Sequence, residues 1–186
     1  VKRIAIFASG AGTNAEVIIR HFEFHADAQV TLLVTNKADS GAVHIAREHG
    51  VEVLVVEKEH FFSPASIVEQ LKARGIDLIV LAGFLWLIPN PIIEAFPNQI
   101  VNIHPALLPK FGGKGMYGKY VHEAVLAAGE KESGITIHYV NEKFDEGEHV
   151  AQFKCIVEPG DTVHSLAKRI HELEHKHYAE AIEKLI

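Results

Sequence analysis

The sequence predicts an α/β protein: a mostly parallel sheet flanked by helices, with antiparallel strand additions in the C-terminal part and a long C-terminal helix. Two observations predict this. Short apolar runs alternate with segments of helical spacing as far as residue 103. The pattern then breaks into a loop rich in glycine and proline, two further strand-like runs and a long helical stretch. Strands separated by helices of about ten residues imply right-handed crossovers and parallel pairing. Uninterrupted apolar runs suit strands covered on both faces.

Taken in order, residues 3–8 are a β-rich run that ends in the turn Gly10-Ala11-Gly12-Thr13-Asn14. Residues 15–24 have helical spacing, with Val17, Ile18 and Phe22 apolar. A strand is expected at 30–34, a helix at 42–49, a strand at 51–56, a helix at 65–74, a strand at 78–82 and a fifth strand at 100–103. A glycine turn between first strand and first helix makes this half Rossmann-like. Pro105, Pro109, Gly112, Gly113, Gly115 and Gly118 then forbid a regular element, and a loop of that kind inside a compact domain is usually functional or mobile. Residues 121–128 read as a helix. Residues 135–140 and 150–157 read as antiparallel strands at the sheet edge, joined by a polar segment containing Gly147. Asp161-Thr162 caps the final helix, along which Leu166, Ile170, Leu173, His177, Ile182 and Leu185 are spaced. With no repeat or linker, one domain over residues 1–186 is the economical reading.

The chain has 186 residues, a formal net charge of -6 and one cysteine, Cys155. The acidic balance speaks against a nucleic-acid partner. A single cysteine allows no disulfide within the chain. No run reaches the roughly 18 to 20 apolar residues of a membrane helix. The basic-apolar start, Val1 to Phe7, is too short an apolar run for a signal peptide and is read as the first strand, so a cytoplasmic protein is expected.

Four motifs could carry chemistry. Ser9-Gly10-Ala11-Gly12-Thr13-Asn14 joins a strand to a helix N-terminus, where glycines admit a ligand to the backbone and free N–H groups favour an anion. Gly10, Gly12 and Ala15 satisfy a dinucleotide pattern, yet Val34-Thr35-Asn36-Lys37 lacks the acidic residue that would hold an adenosine ribose. Asn102 and His104 fall on one side of a strand that ends where α/β sheets bind ligands. They can converge on a reacting atom or simply close the strand. Asp145-Glu146-Gly147 puts a carboxylate on a loop, where solvation is its usual fate. His171-Glu172-Leu173-Glu174-His175 spells H-E-x-x-H, but only eleven residues follow and the α/β setting is wrong for a zinc protease. A polar helix face explains it better. Cys155 lies in an apolar strand with no neighbouring histidine and reads as a small core residue. Lys110 and Lys114 could serve an anionic substrate or merely be exposed loop lysines.

In order along nearly the whole chain, Ser9-Gly10-Ala11-Gly12-Thr13-Asn14, Leu81-Ala82-Gly83-Phe84, Asn102-Ile103-His104-Pro105-Ala106-Leu107-Leu108-Pro109, Gly134-Ile135-Thr136-Ile137-His138-Tyr139-Val140 and Asp145-Glu146-Gly147 resemble the phosphoribosylglycinamide formyltransferases, a branch of the folate-dependent formyltransferases. The resemblance implies a transfer of the formyl group of 10-formyltetrahydrofolate to the amine of glycinamide ribonucleotide in purine synthesis. It implies Asn102, His104 and Asp145 as catalytic residues. It implies Gly12, Thr13, Asn14, Gly83 and Glu174 as substrate-binding residues. The folate pocket it implies is walled by Leu85, Trp86, Leu87, Ile88, Asn102, Tyr139, Val140, Asn141 and Phe144, the nucleotide being held by the N-terminal half and the folate by the C-terminal half. The partners expected are small molecules, with no nucleic acid, membrane or metal, in a monomer or weak homodimer. The chain departs from the commoner family pattern at Trp86, where many members carry Arg, at Pro64, near where some carry Arg, and in a longer loop at 111–120.

The chemistry so implied is attack of the amine on the formyl carbon. Asn102 and a protonated His104 would stabilise the tetrahedral oxyanion. Asp145 would hold His104 in its charged form and relay the proton. Three other readings remain: a formyltetrahydrofolate hydrolase, expected to carry a regulatory domain ahead of this core; a methionyl-tRNA formyltransferase, expected to carry a basic C-terminal domain; and a non-catalytic phosphate- or nucleotide-binding module, which has no need of the trio.

Overall fold

The computed structural model describes residues 1–63 and 65–186; Pro64, one of the departures named above, lies outside the described residues. The elements are β1 (Lys2–Phe7), α1 (Thr13–Phe22), β2 (Ala28–Thr35), α2 (Gly41–Glu48), β3 (Glu52–Val55), α3 (Lys58–Phe62), α4 (Ala65–Ala73), β4 (Leu78–Leu81), α5 (Asn90–Ala95), β5 (Ile100–His104), α6 (Lys119–Ala127), β6 (Glu132–Tyr139), β7 (His149–Ile156) and α7 (Val163–Glu183). The strands hydrogen-bond in the order β3-β2-β1-β4-β5-β6-β7. The pairs β1/β2, β1/β4, β2/β3 and β4/β5 are parallel, and β6/β7 is antiparallel. This is the Rossmann-like, mostly parallel sheet with antiparallel additions that the alternation of runs predicts. Two short helices, α3 and α5, were not expected.

The chain forms two compact units, Val1–Asn102 with Ile186, and Ile103–Leu185. The first owes its core to Ile4, Ile6, Phe7, Leu32, Leu33, Ile79 and Val80, all fully buried on three adjacent strands. Helix α1 buries Ala15, Ile18, Ile19 and Phe22, one helical face. It begins at Thr13, two residues before the expected start, because Gly12 takes the left-handed conformation (φ 82°) and turns the chain directly into the helix. Any side chain at Gly12 would also collide with α2, since a Cβ would lie 2.5 Å from Ala42 Cα. Strand order supplies the geometry that matters for function: the chain winds outward from β1 through β2 to β3, then returns to place β4 on the other side of β1. The carboxyl ends of β1 and β4 therefore flank a topological switch point, where open α/β sheets bind ligands.

In the second unit, α7 packs against α6 and the β6/β7 hairpin. Its cap is the expected one. The Thr162 side chain accepts the Ser165 N–H at 3.1 Å while Ser165 Oγ accepts the Thr162 N–H at 2.9 Å. Asp161 accepts from Ser165 Oγ at 2.7 Å and from Arg169 at 2.7 Å. The buried stripe of α7 differs from the expected one. It is Leu166, Ile170, Glu174, Tyr178 and Ile182, spaced by four, whereas Leu173, His177 and Leu185 are only half-buried. His177 instead stacks on Phe153 of β7, with ring centroids 3.7 Å apart. A charged residue thus sits in the middle of an apolar seam. Replacing Thr162 by Ala removes one half of the cap and is expected to lower stability by about 1 kcal/mol. A urea midpoint unchanged from the wild type would show that the Asp161–Arg169 pair alone holds the helix start.

Candidate active site

In the first unit, Gly12, Thr13 and Asn14 open α1, where a helix leaves N–H groups without intrahelical partners. Thr13 is exposed and Asn14 half-buried. Gly83 follows β4 with φ 76°. Its carbonyl accepts the Ser9 N–H at 3.0 Å, and Ser9 Oγ accepts the Leu85 N–H at 3.2 Å. The loops after β1 and β4 are thereby pinned to each other at the switch point. From the same loop, Leu85 is exposed, and Trp86 and Leu87 are half-buried. Ile88, expected to wall the folate pocket, is only 2% exposed; it packs into the core and offers a ligand no surface. Trp86 sits in an aromatic cluster, its ring 5.3 Å from Phe61, 5.7 Å from Phe62 and 6.0 Å from Phe84. Two of these partners belong to the unexpected helix α3.

Asn102 and His104 both lie on β5, two residues apart. Asn102 is half-buried and His104 buried. Around His104 the second unit assembles a cluster of charge. His104 Nε2 lies 2.7 Å from the Phe111 carbonyl oxygen, and Nδ1 lies 3.5 Å from Asp145 Oδ2. Asp145 Oδ1 faces His138 Nε2 at 3.6 Å, and Oδ2 accepts the Gly113 N–H at 3.0 Å. His138 Nδ1 is 2.9 Å from the Tyr139 carbonyl oxygen. His138 belongs to the quoted segment 134–140 but was given no role in the site. Thr136 itself explains how the segment after His104 is placed: its hydroxyl donates to the Ala106 carbonyl at 2.7 Å and accepts from Leu108 N–H at 3.0 Å, while Gln152 donates to both Thr136 and the Leu108 carbonyl at 2.9 Å.

The loop that brings Asp145 to this cluster carries Asn141, whose Oδ1 accepts the Lys143 N–H at 2.9 Å in a side-chain-closed turn, and Phe144, which is exposed. Tyr139 and Val140 are half-buried. Gly147 is required to close it, because a Cβ there would run into the Tyr139 carbonyl. Asp145 itself is held at φ 57°, a conformation that Asp adopts more readily than most residues.

Burial would raise the Asp145 carboxyl. The His138 hydrogen bond, the His104 charge and the Gly113 N–H outweigh it, and the group stays below the usual carboxylate range. For His104 the balance goes the other way. Burial lowers it, and neither the Asp145 charge nor the Phe111 carbonyl restores the ordinary value. The imidazole is therefore shifted below its ordinary value, because desolvation of a charged ring exceeds what one carboxylate returns.

Glu174 lies in the seam of α7 at 5% exposed, with Oε2 2.8 Å from His171 Nδ1. That hydrogen bond holds His171 above the ordinary imidazole value. The first histidine of the H-E-x-x-H string thus serves a carboxylate outside the string's own Glu172, which is exposed.

A buried carboxylate facing two imidazoles gives the second unit a cluster able to hold and move a proton. Residues 2–182 match the formyl transferase family, and the chain belongs to it. Among its relatives, the chloroplastic phosphoribosylglycinamide formyltransferase of Arabidopsis thaliana is 46% identical over 97% of this chain and 64% of its own length. The corresponding protein of Bacillus subtilis (strain 168), phosphoribosylglycinamide formyltransferase, is 36% identical over 100% of this chain and 95% of its own. The chain spans less than two thirds of the length of the Arabidopsis relative and of the Vigna unguiculata one, of which it covers 61%. The crystal structure of phosphoribosylglycinamide formyltransferase from Bacillus halodurans superposes with a TM-score of 0.89 at 37% identity, covering 99% of this chain and 95% of that one.

The two histidines should titrate apart. In an NMR pH titration His104 is expected to have its midpoint below the ordinary imidazole value and His171 above it. The signs for stability are opposite. The depressed His104 costs stability as pH falls below the ordinary value, while the raised His171 contributes stability at low pH that is lost as pH rises through its folded midpoint. Midpoints in the reverse order would show that Asp145, and not burial, governs His104.

Proposed function

We propose that this chain transfers the formyl group of 10-formyltetrahydrofolate to the amine of glycinamide ribonucleotide, a step of purine synthesis, in one functional domain and a cytoplasmic setting. The observation that carries the reading is the buried His104–Asp145 pair, with Asn102 two residues earlier on the same strand, in a chain matched to formyl transferases over residues 2–182.

The reaction needs an oxyanion stabilised and one proton moved. The amine attacks the formyl carbon, a C–N bond forms, and the carbonyl electrons go to oxygen. The Asn102 amide N–H donates to that oxygen; loss of one such donor typically costs about 100- to 1,000-fold in rate. The attacking nitrogen becomes cationic as the bond forms. A neutral His104 can take its proton on Nδ1, and Asp145, held ionised, stabilises the imidazolium. Collapse breaks the bond to the folate N10, which leaves with the proton. Atoms and charge balance without metal or covalent enzyme intermediate. The glycine turn at Gly12, Thr13 and Asn14, with Gly83, takes the nucleotide phosphate, and Glu174 takes polar groups of the ribonucleotide. Leu85, Trp86, Leu87, Tyr139, Val140, Asn141 and Phe144 contact the folate.

Absorbance of the folate product, followed with and without glycinamide ribonucleotide, tests the reading. Turnover that requires the ribonucleotide and falls by about 100-fold or more in Asp145→Asn is expected. Turnover without the amine would indicate a hydrolase, and a folded protein with no turnover a binding module. Trp86 is the only tryptophan, so saturating folate should change its fluorescence. Unchanged emission would place the folate away from residues 85–87.

A further inference from the structure

A chain of aromatic rings runs from the core of the first unit to its surface. Phe7 and Phe61 are fully buried, Phe84 and Trp86 half-buried, and Phe62 and Leu85 are 48% and 53% exposed. Phe84 lies 5.3 Å from both Phe7 and Phe61, and Trp86 lies 5.3 Å from Phe61 and 5.7 Å from Phe62. The inner rings already close the core, so the outer ones are not needed to fill it. The short helix α3 buries only Phe61, yet its last residue, Phe62, sets an exposed ring against Trp86. Large apolar groups exposed together mark a binding surface more often than a packing defect.

We propose that Phe62 and Trp86 form an aromatic clamp for the p-aminobenzoyl ring of the folate. The clamp presupposes the folate cosubstrate proposed above; it adds a residue of α3 to that site and names the force that holds the ring. Three observations select this occupant. The rings stand on the loop after β4, which Ser9 pins through the Leu85 N–H and the Gly83 carbonyl, and open α/β sheets bind ligands at such carboxyl ends. The exposed rim, Phe62 and Leu85, is apolar. It suits the part of a folate with the fewest polar atoms, whereas the pteridine carries donors and acceptors that such a rim would leave unpaired. Charge speaks against the carboxylates of the tail: α3 and its N-cap present Glu57, Lys58, Glu59 and His60, two acids to one permanent cation.

Trp86 stands where many members of the family carry Arg. A guanidinium there would hold a carboxylate by charge-assisted hydrogen bonds, fixed in direction and weakened by salt. An indole offers a flat face instead, against which an aryl ring gains apolar burial and the attraction of offset or edge-on rings. The planes of Phe62 and Trp86 are inclined at 46°, so neither ring covers the other face to face and each keeps a face for a third. The substitution therefore changes what this place reads in the cosubstrate, from charge to shape.

Calorimetric titration with tetrahydrofolate tests the clamp and requires no turnover. Phe62→Ala is expected to weaken the Kd by roughly five- to tenfold, while Phe62→Tyr, which keeps the ring, stays within about twofold of the wild type. In proton NMR of the complex, the aryl protons of the p-aminobenzoyl group should move upfield, and by less in Phe62→Leu, which keeps bulk but not the ring. The wild-type Kd should vary by less than about twofold between about 0.05 and 0.5 M salt, whereas that of Trp86→Arg should rise with salt. An unchanged Kd in Phe62→Ala, or unshifted aryl protons in the wild-type complex, would overturn the clamp even if formyl transfer is found. A dimer that Phe62→Ala dissociates, with folate binding unaltered, would give the surface to a second copy of this chain. Tetrahydrofolate held by the clamp without formyl transfer would sink the reaction and not the clamp; no binding at all would sink both.

Discussion

A carboxylate kept ionised while nearly buried is the constraint on which the second unit depends. The Asp145 side chain is 11% exposed. Removing such a charge from water costs several kcal/mol unless partners replace the lost solvation. His138, His104 and the Gly113 N–H do so from three different segments. Each replacement then imposes its own requirement. His138 is oriented by the Tyr139 carbonyl, the loop from Tyr139 can only return to β7 because Gly147 has no Cβ, and the segment after His104 is fastened to β6 and β7 through Thr136 and Gln152. Features that look like independent oddities of the sequence therefore have one cause.

The first unit meets a different demand with different means. A phosphate site can be built from backbone dipoles alone, provided the chain can be brought close without side chains in the way. Gly12 supplies the left-handed turn and admits α2 against it. The Gly10 carbonyl accepts the Ala42 N–H at 3.2 Å, so the turn is fixed from behind by the start of α2 while the start of α1 remains in front.

Much of this was legible in the sequence, and the rest was hidden for identifiable reasons. Parallel pairing followed from the alternation of runs, and the α7 cap from Asp161-Thr162. Helices α3 and α5 have five and six residues, too few for a periodic pattern to stand out. The Asn102 and His104 pair could be placed on one side of a strand by period alone. Its coupling to Asp145 came only with the resemblance, because 40 residues lie between His104 and Asp145. His138 lay within a resembling segment but had no role attached to it. The Phe111 carbonyl and Gly113 N–H had neither, since every residue but proline has both groups and only their aim distinguishes them. The direction in which the His104 imidazole is shifted was hidden because burial, which decides it, is not written in one strand's residues.

The string His171-Glu172-Leu173-Glu174-His175 shows how far spacing can mislead without a burial direction. Read as H-E-x-x-H, it makes Glu172 the functional carboxylate and pairs the two histidines as ligands. The seam of α7 runs through Ile170, Glu174 and Tyr178, which turns Glu172 outward and Glu174 inward. An inward carboxylate needs a donor, and His171, three residues earlier and one turn away, supplies it at 2.8 Å. With Nδ1 committed to Glu174, His171 has one nitrogen left, and His175 faces it only ring to ring at 6.2 Å. The same five residues thus specify a buried acid with its own proton donor. The informative signal in the sequence was a glutamate at the third position of an i, i+4 apolar series, a placement that costs stability unless a ligand or partner makes use of the charge.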